Sequence, residues 1–166
     1  MADTYLMHDE LVAFIATLPT RRLAASALIR DESGRILAVK PNYRDGWALP
    51  GGTVEAHEAP QDGCFREVLE EVGLHLEPGR VVMIYHGLDM GVWGDSTYYL
   101  YDGGVIAADT PITLQEEELT EYAWLSENQL EEHFGRAFAA RLAASLRALE
   151  TGEVLELSSS ENLHQK

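Results

Sequence analysis

The residues best placed for chemistry are three glutamates within one predicted helical turn. Glu67, Glu70 and Glu71 follow Arg66 and lie between Pro60 and Gly73. Proline suits a first helical position, where its missing N–H would go unpaired anyway, and glycine suits the stop, where positive φ is common. Between them Phe65, Val68, Leu69 and Val72 recur at i, i+3, i+4 and i+7, the spacing of one buried face. The glutamates follow the same rule offset by two residues, so at about 100° per residue the two sets point in roughly opposite directions. Like charges at this spacing repel by a few tenths of a kcal/mol per pair. Two readings accommodate that cost: an acidic solvated face, or a site for a hard divalent cation, which takes oxygen ligands from one or two carboxylates plus substrate phosphates.

The residues just upstream separate the two readings. Gly51-Gly52 follows Trp47-Ala48-Leu49-Pro50, and glycine permits positive φ and close approach of backbone to a ligand. From Gly52 the order is glycine, five residues, Glu58, seven residues, Arg66-Glu67-Val68, one residue, Glu70-Glu71, one residue, Gly73-Leu74. This stretch, residues 52–74, resembles the Nudix box, G-x5-E-x7-R-E-U-x-E-E-x-G-U with U aliphatic, at every defined position. By that resemblance the chain is identified as a member of the Nudix hydrolases.

The resemblance implies roles. Glu67 and Glu71 correspond to the main metal ligands, and Glu70 to a further ligand or water-orienting group. The Gly51 carbonyl corresponds to the oxygen that completes the metal shell, and Arg66 to the arginine that holds a box glutamate through an ion pair. Glu58 becomes a supporting partner. The general base varies among such enzymes and often lies on a later loop, which makes Glu116, Glu117 and Glu118 candidates, with Glu117 chosen from the triplet. The implied cofactor is Mg²⁺, with Mn²⁺ as a substitute. The implied reaction is hydrolysis of the diphosphate bond of a nucleoside diphosphate linked to another moiety. The rival readings are a non-catalytic nucleotide- or ligand-sensing module of the same fold and an isoprenoid diphosphate isomerase, whose cysteine and glutamate arrangement is not evident.

Composition bounds these readings. A chain of 166 residues, 46% hydrophobic and 24% charged, suits one domain with a real core. There is no run of about 18 apolar residues, so no membrane span is expected, and the N-terminus lacks the basic start and apolar core of a signal peptide. The single Cys64 fits a reducing cytoplasm and a semi-buried structural thiol. A net charge of −16 argues against binding nucleic-acid backbones, which need stripes of Lys and Arg. A phosphate-bearing small molecule stays compatible because bound cations invert local electrostatics.

The elements that must position the box follow from pattern. Residues 8–18 form an amphipathic helix expected to pack on the domain or on a partner chain; family members are frequently dimers, so a homodimer is possible. Residues 22–30 and 35–41 read as a hairpin turning at Asp31–Gly34, and Trp47–Leu49 as a brief strand leading into the glycines. Residues 80–87 read as a strand, 97–107 as a strand broken by Gly103-Gly104, and Glu121–Leu125 as another. Ser126 caps a short helix, residues 136–149 form an Ala/Leu-rich helix, and 151–166 a polar, frayed tail. Residues 1–150 are thus one α+β domain, and the resemblance implies an α/β/α sandwich around a mixed sheet. Lys40 and Arg44, just before the glycines, read either as phosphate contacts or as surface charge; Tyr85 and Trp93 read either as a stacking platform for a base or as packing. Markers of the ADP-ribose, dinucleoside polyphosphate, NADH and coenzyme A subfamilies are absent at their places, which leaves nucleoside triphosphates, modified nucleotides and nucleotide sugars open.

Overall fold

The computed structural model describes residues 7–159. Its centre is β1 (Arg22–Asp31), whose residues 25–29 are all buried. Successive strand residues point to opposite faces, so a continuous buried run means that both faces are covered. Ala25, Ala27 and Ile29 join Leu37 and Val39 of β2 (Ile36–Pro41) in a core under α2 (Pro60–Val72). The intervening Leu28, with Ile36 and Ala38, faces the opposite way. It packs with Leu130 of α3 (Leu130–Phe134) and with Ala139 and Leu142 of α4 (Arg136–Thr151). Leu28, Ile29, Ile36, Leu37 and Leu142 are almost wholly buried, each stabilising by about 1.5–3 kcal/mol. The result is the expected α/β/α sandwich around a mixed sheet.

Among the described residues the sheet has seven strands. Six run in the order β6 (Leu119–Leu125), β2, β1, β5 (Ser96–Ile106), β4 (Val81–Gly87), β7 (Leu155–Ser158). β1 pairs with β5 in parallel and β4 with β7 in parallel; β1–β2, β2–β6 and β4–β5 are antiparallel. β1 and β2 splay apart: Arg30 meets Ile36 near the hairpin, but the other end of β1 pairs with β3 (Gly51–Thr53), Ala24 to Thr53 and Ser26 to Gly51. The Ala27 amide donates to the Pro50 carbonyl at 2.9 Å, and Val39 and Ala48 exchange amide–carbonyl bonds at 2.8 Å. The glycine segment is therefore a wedge hydrogen-bonded to both strands.

Four sequence expectations change here. The brief strand expected at Trp47–Leu49 is a single bridge at Ala48, and the strand proper is the glycine pair plus Thr53. β5 is not broken at Gly103-Gly104. Its partner register shifts from Leu28–Asp102 to Arg30–Val105, so one extra residue is absorbed as a bulge, with Gly104 at φ +77°. The helix expected over 8–18 spans His8–Ile15 as α1, and it does not bury its apolar residues: Leu11, Val12, Phe14 and Ile15 are each at least 43% exposed. The two sheet faces are covered by α2 and by α3 with α4. The polar tail expected over 151–166 contains β7, whose Leu155 and Leu157 pair with Met83 and Tyr85. Residues 160–166 lie outside the described residues. Among those described, no helix is long and apolar enough to cross a membrane.

Candidate active site

Local sequence explains why the box folds as it does. Pro60 opens α2, and Gly73 closes it at φ +70° with its amide donating to Leu69 O. Gly51 lies at φ +143°, and a Cβ there would stand 2.3 Å from Ala25 O; only glycine permits the wedge to approach β1 so closely. A Cβ on Gly52 would stand 2.7 Å from the Glu67 carboxyl carbon, so that glycine makes room for a box carboxylate.

Arg66 is the hub. Its Nε donates to Glu58 Oε1 at 2.8 Å and its Nη2 to Glu58 Oε2 at 3.1 Å. Its Nη1 donates to Glu67 Oε1 at 2.9 Å and to Glu70 Oε2 at 3.1 Å. Glu58 also accepts the Glu55 amide at 3.0 Å, closing the loop before the helix. Hydrogen bonds from Arg66, followed by that amide, hold Glu58 down to about 2. Glu58 is thus a fixed anion that orients Arg66, which in turn orients Glu67 and Glu70.

Glu71 behaves differently. Its carboxylate accepts the Gly51 amide at 2.8 Å, and the residue is only 6% exposed. Burial pushes it up to about 7, with Glu67 and Glu118 adding repulsion, while the Gly51 hydrogen bond and Arg44 act the other way. Glu67 is raised for the same leading reason, burial, with Glu70 and Glu118 contributing. The helix face is therefore not the simple opposite of a core face. Glu71 turns inward beside Val68 and Val72, Leu69 is 38% exposed rather than buried, and Glu70 is open to solvent. Cys64 is fully buried and its thiol is pushed up to about 12, chiefly by burial, which makes it an inert core residue.

The structure brings together Gly51, Glu58, Arg66, Glu67, Glu70 and Glu71. Arg44 joins them by lining, with Gly51, Gly52 and Glu71, a cavity of about 640 Å³. Lys40 does not: it is bound to Glu121 at 2.8 Å across the β2–β6 pair and lies 5.9 Å from the Trp47 ring centroid, away from the cavity lining. Glu117 and Glu118 are both exposed, and the Glu117 carbonyl accepts a hydrogen bond from Asn42 Nδ2 at 2.7 Å. Of the triplet, Glu118 is the residue whose charge adds to the repulsion on Glu67 and Glu71. The loop is fixed over α2 by the Gln115 amide on Glu71 O and the Thr113 amide on Val72 O.

Sequence reading missed the far wall of the cavity. Tyr98, Phe138 and Arg141 line it together with Tyr85 and Trp93, which resolves those two toward the cavity. Arg141 was detectable: it is a lone charge one residue before Leu142 and three after Phe138, inside the apolar stripe of α4. Tyr98 follows from alternation, since Tyr99 and Tyr101 face α2 while Tyr98 and Leu100 face α4.

All the ligand atoms that α2 and the glycine wedge offer are oxygens, suited to a hard cation. Among the described residues no three acidic, histidine or cysteine side chains are already gathered into a ready-made metal cage. Burial of Glu71 and Glu67, with Glu118 nearby and Arg66 shared among three partners, still leaves this end short of positive charge, so the residues fit a divalent ion.

Comparison with known proteins agrees with this geometry. The model of the NUDIX domain matches residues 20–146. A MutT-like protein of Streptomyces ambofaciens is 28% identical over 128 residues, covering 77% of this chain and 79% of the relative. The crystal structure of a MutT protein from Methanosarcina mazei superposes with a TM-score of 0.64 at 25% identity, covering 82% of this chain and 98% of that one. An ADP-ribose pyrophosphatase from Streptococcus suis gives 0.63 at 26%, covering 84% and 100%. With the box complete and its fold in place, the chain belongs to the Nudix hydrolases, enzymes that act on pyrophosphate bonds.

Proposed function

We propose that this protein is a metal-dependent pyrophosphohydrolase that cleaves the diphosphate bond of a nucleoside diphosphate linked to another moiety. The observation that carries the reading is the joining of two kinds of lining in one cavity: Glu71 with Gly51 and Gly52, and the aromatic side chains of Tyr85, Tyr98 and Phe138. The first suits a diphosphate with its cation, and the second a flat base.

In this reading Glu67, Glu71, Glu70 and the Gly51 carbonyl would hold a metal ion. Mg²⁺, or Mn²⁺ in its place, would supply neutralisation of the phosphates and a more acidic water there. Arg66 keeps Glu67 and Glu70 in register and is itself fixed by Glu58. The Gly51 amide holds Glu71 in place. Arg44 meets a substrate phosphate in the same cavity. Glu118 takes the proton of the attacking water as its oxygen bonds to phosphorus and the bridging P–O bond breaks, so the leaving phosphate carries away the electron pair.

A panel of nucleoside triphosphates and nucleotide sugars, incubated with Mg²⁺ in ¹⁸O water and resolved by mass spectrometry, tests the reading. Label in one phosphate product, abolished by EDTA, is expected. Metal-independent turnover, or none across the panel, overturns it.

A further inference from the structure

Arg141 differs from the arginines that are tied to the protein by hydrogen bonds. Arg22 donates to Trp93 O, Arg66 to three carboxylates, and Arg80 to three carbonyls. The Arg141 guanidinium makes no hydrogen bond and no ion pair among the described residues, and its Nε is buried without a partner. A buried donor left unmade costs about 1–3 kcal/mol. What holds the group is aromatic: its guanidinium carbon lies 4.2 Å from the Tyr85 ring centroid and 5.4 Å from that of Phe138. These rings fix the plane of the fork and offset part of its charge. Arg141 thus lines the cavity beside Tyr85, Tyr98 and Phe138, and among the described residues no carboxylate pairs with its guanidinium.

Arg44 stands close enough to act on Glu71, whereas Arg141 stands among the aromatic side chains of β4, β5 and α4. A diphosphate held beside Arg44 extends its base toward Arg141. Arginine has donors and no acceptor. It can pair two N–H groups with the O6 and N7 acceptors of a 6-oxopurine, but it meets an N–H₂ donor at position 6 of adenine. Because the rings already offset part of the charge, a neutral acceptor edge is enough.

We infer that Arg141 is the specificity-determining residue of this cavity and selects 6-oxopurine nucleotides over adenine nucleotides. The inference rests on the proposed function in taking the cavity as the substrate's seat, but it is testable without turnover. Trp47 and Trp93 line the cavity, so quenching of tryptophan fluorescence reports occupancy. Titration with inosine monophosphate and adenosine monophosphate in EDTA compares ligands that differ at the purine 6-position. The unmodified protein is expected to bind the inosine nucleotide about 10- to 100-fold more tightly, the range of one good bidentate pair. Arg141→Met, which keeps the unbranched stem between the rings, should bring the two affinities together by weakening the inosine nucleotide alone. Arg141→Lys, which keeps the charge and loses the fork, should do so as well, and it carries the test if the methionine variant does not fold.

Equal affinity for both ligands in the unmodified protein, or no detectable binding of either, overturns the inference. So does equal weakening of both by Arg141→Met, which would show that Arg141 reads the phosphate, with ribose 5-phosphate binding lost in parallel. Turnover of inosine and adenosine triphosphates with Mg²⁺ separates the two readings. Base selectivity in binding without any turnover removes the hydrolase reading and leaves this one. Turnover without base discrimination does the reverse.

Discussion

The Gly51 amide donates to the Glu71 carboxylate at 2.8 Å, so a glycine of the sheet wedge and a glutamate twenty residues later form one unit. In the metal-free protein that hydrogen bond offsets only part of the cost of burying the Glu71 charge. Glu71 is raised to about 7 by burial and by Glu67 and Glu118. A carboxylate raised on folding makes the native state lose stability as pH climbs from its unfolded value, about 4.5, through 7. Glu71→Gln is therefore expected to raise the melting temperature of the metal-free protein by a few degrees at pH 8 while cutting kcat on the order of 10³-fold. Thermal denaturation in EDTA and in Mg²⁺ checks both parts: Mg²⁺ should stabilise the unmodified protein and do little for the variant.

Glu58 shows the opposite sign. Held at about 2, it stabilises the fold fully above its unfolded value and loses that contribution as pH falls from about 4.5 toward 2. Glu58→Gln should flatten this acid limb in urea denaturation measured at a series of pH values. An unchanged acid limb would show that the Glu58–Arg66 pair does not matter to folding.

The two wedge glycines should fail in different ways. Alanine at Gly51 would meet backbone, Ala25 O at 2.3 Å, in a conformation that L side chains rarely adopt, and is expected to destabilise by about 2–4 kcal/mol. Alanine at Gly52 would meet the carboxyl end of Glu67, which can move. That variant should keep most of its stability and lose activity, because Glu67 would no longer sit where Arg66 holds it. Paired melting curves and initial rates distinguish the two.

Glu118 and Glu117 are adjacent, acidic and exposed, which makes them internal controls for one another. Glu118→Gln is expected to lower kcat by about 10²- to 10⁴-fold as a lost general base, and Glu117→Gln to leave it within about twofold. Rates measured at saturating substrate decide; equal effects would remove the assignment of the base.

Much of the fold was legible because both periodicities are clean. The buried run of β1 and the Val68/Val72 stripe of α2 each announce their element. The box was legible because its residues are close in sequence. What was not legible depends on contacts distant in sequence. Leu69 and Glu71 exchange the expected exposures because the wedge, set by pairing of Gly51 with Ser26, draws Glu71 inward. Lys40 is lost to Glu121, eighty-one residues away, through the β2–β6 register. Asn42 ties down the loop of Glu117 and Glu118 through both of their carbonyls, seventy-five residues away in the first case, and no local pattern encodes that tie. Leu155 and Leu157 form an edge strand only because β4 is there to receive them.

The splaying of β1 from β2 has a consequence for how the protein fails. The glycine segment is hydrogen-bonded to Leu23, Ala27 and Val39, which belong to the most protected strands of the sheet. Its amides are expected to exchange with solvent together with those of the central strands, which hydrogen exchange checks. Activity is then expected to disappear with the fold, so that residual activity in denaturant follows the fraction of native molecules.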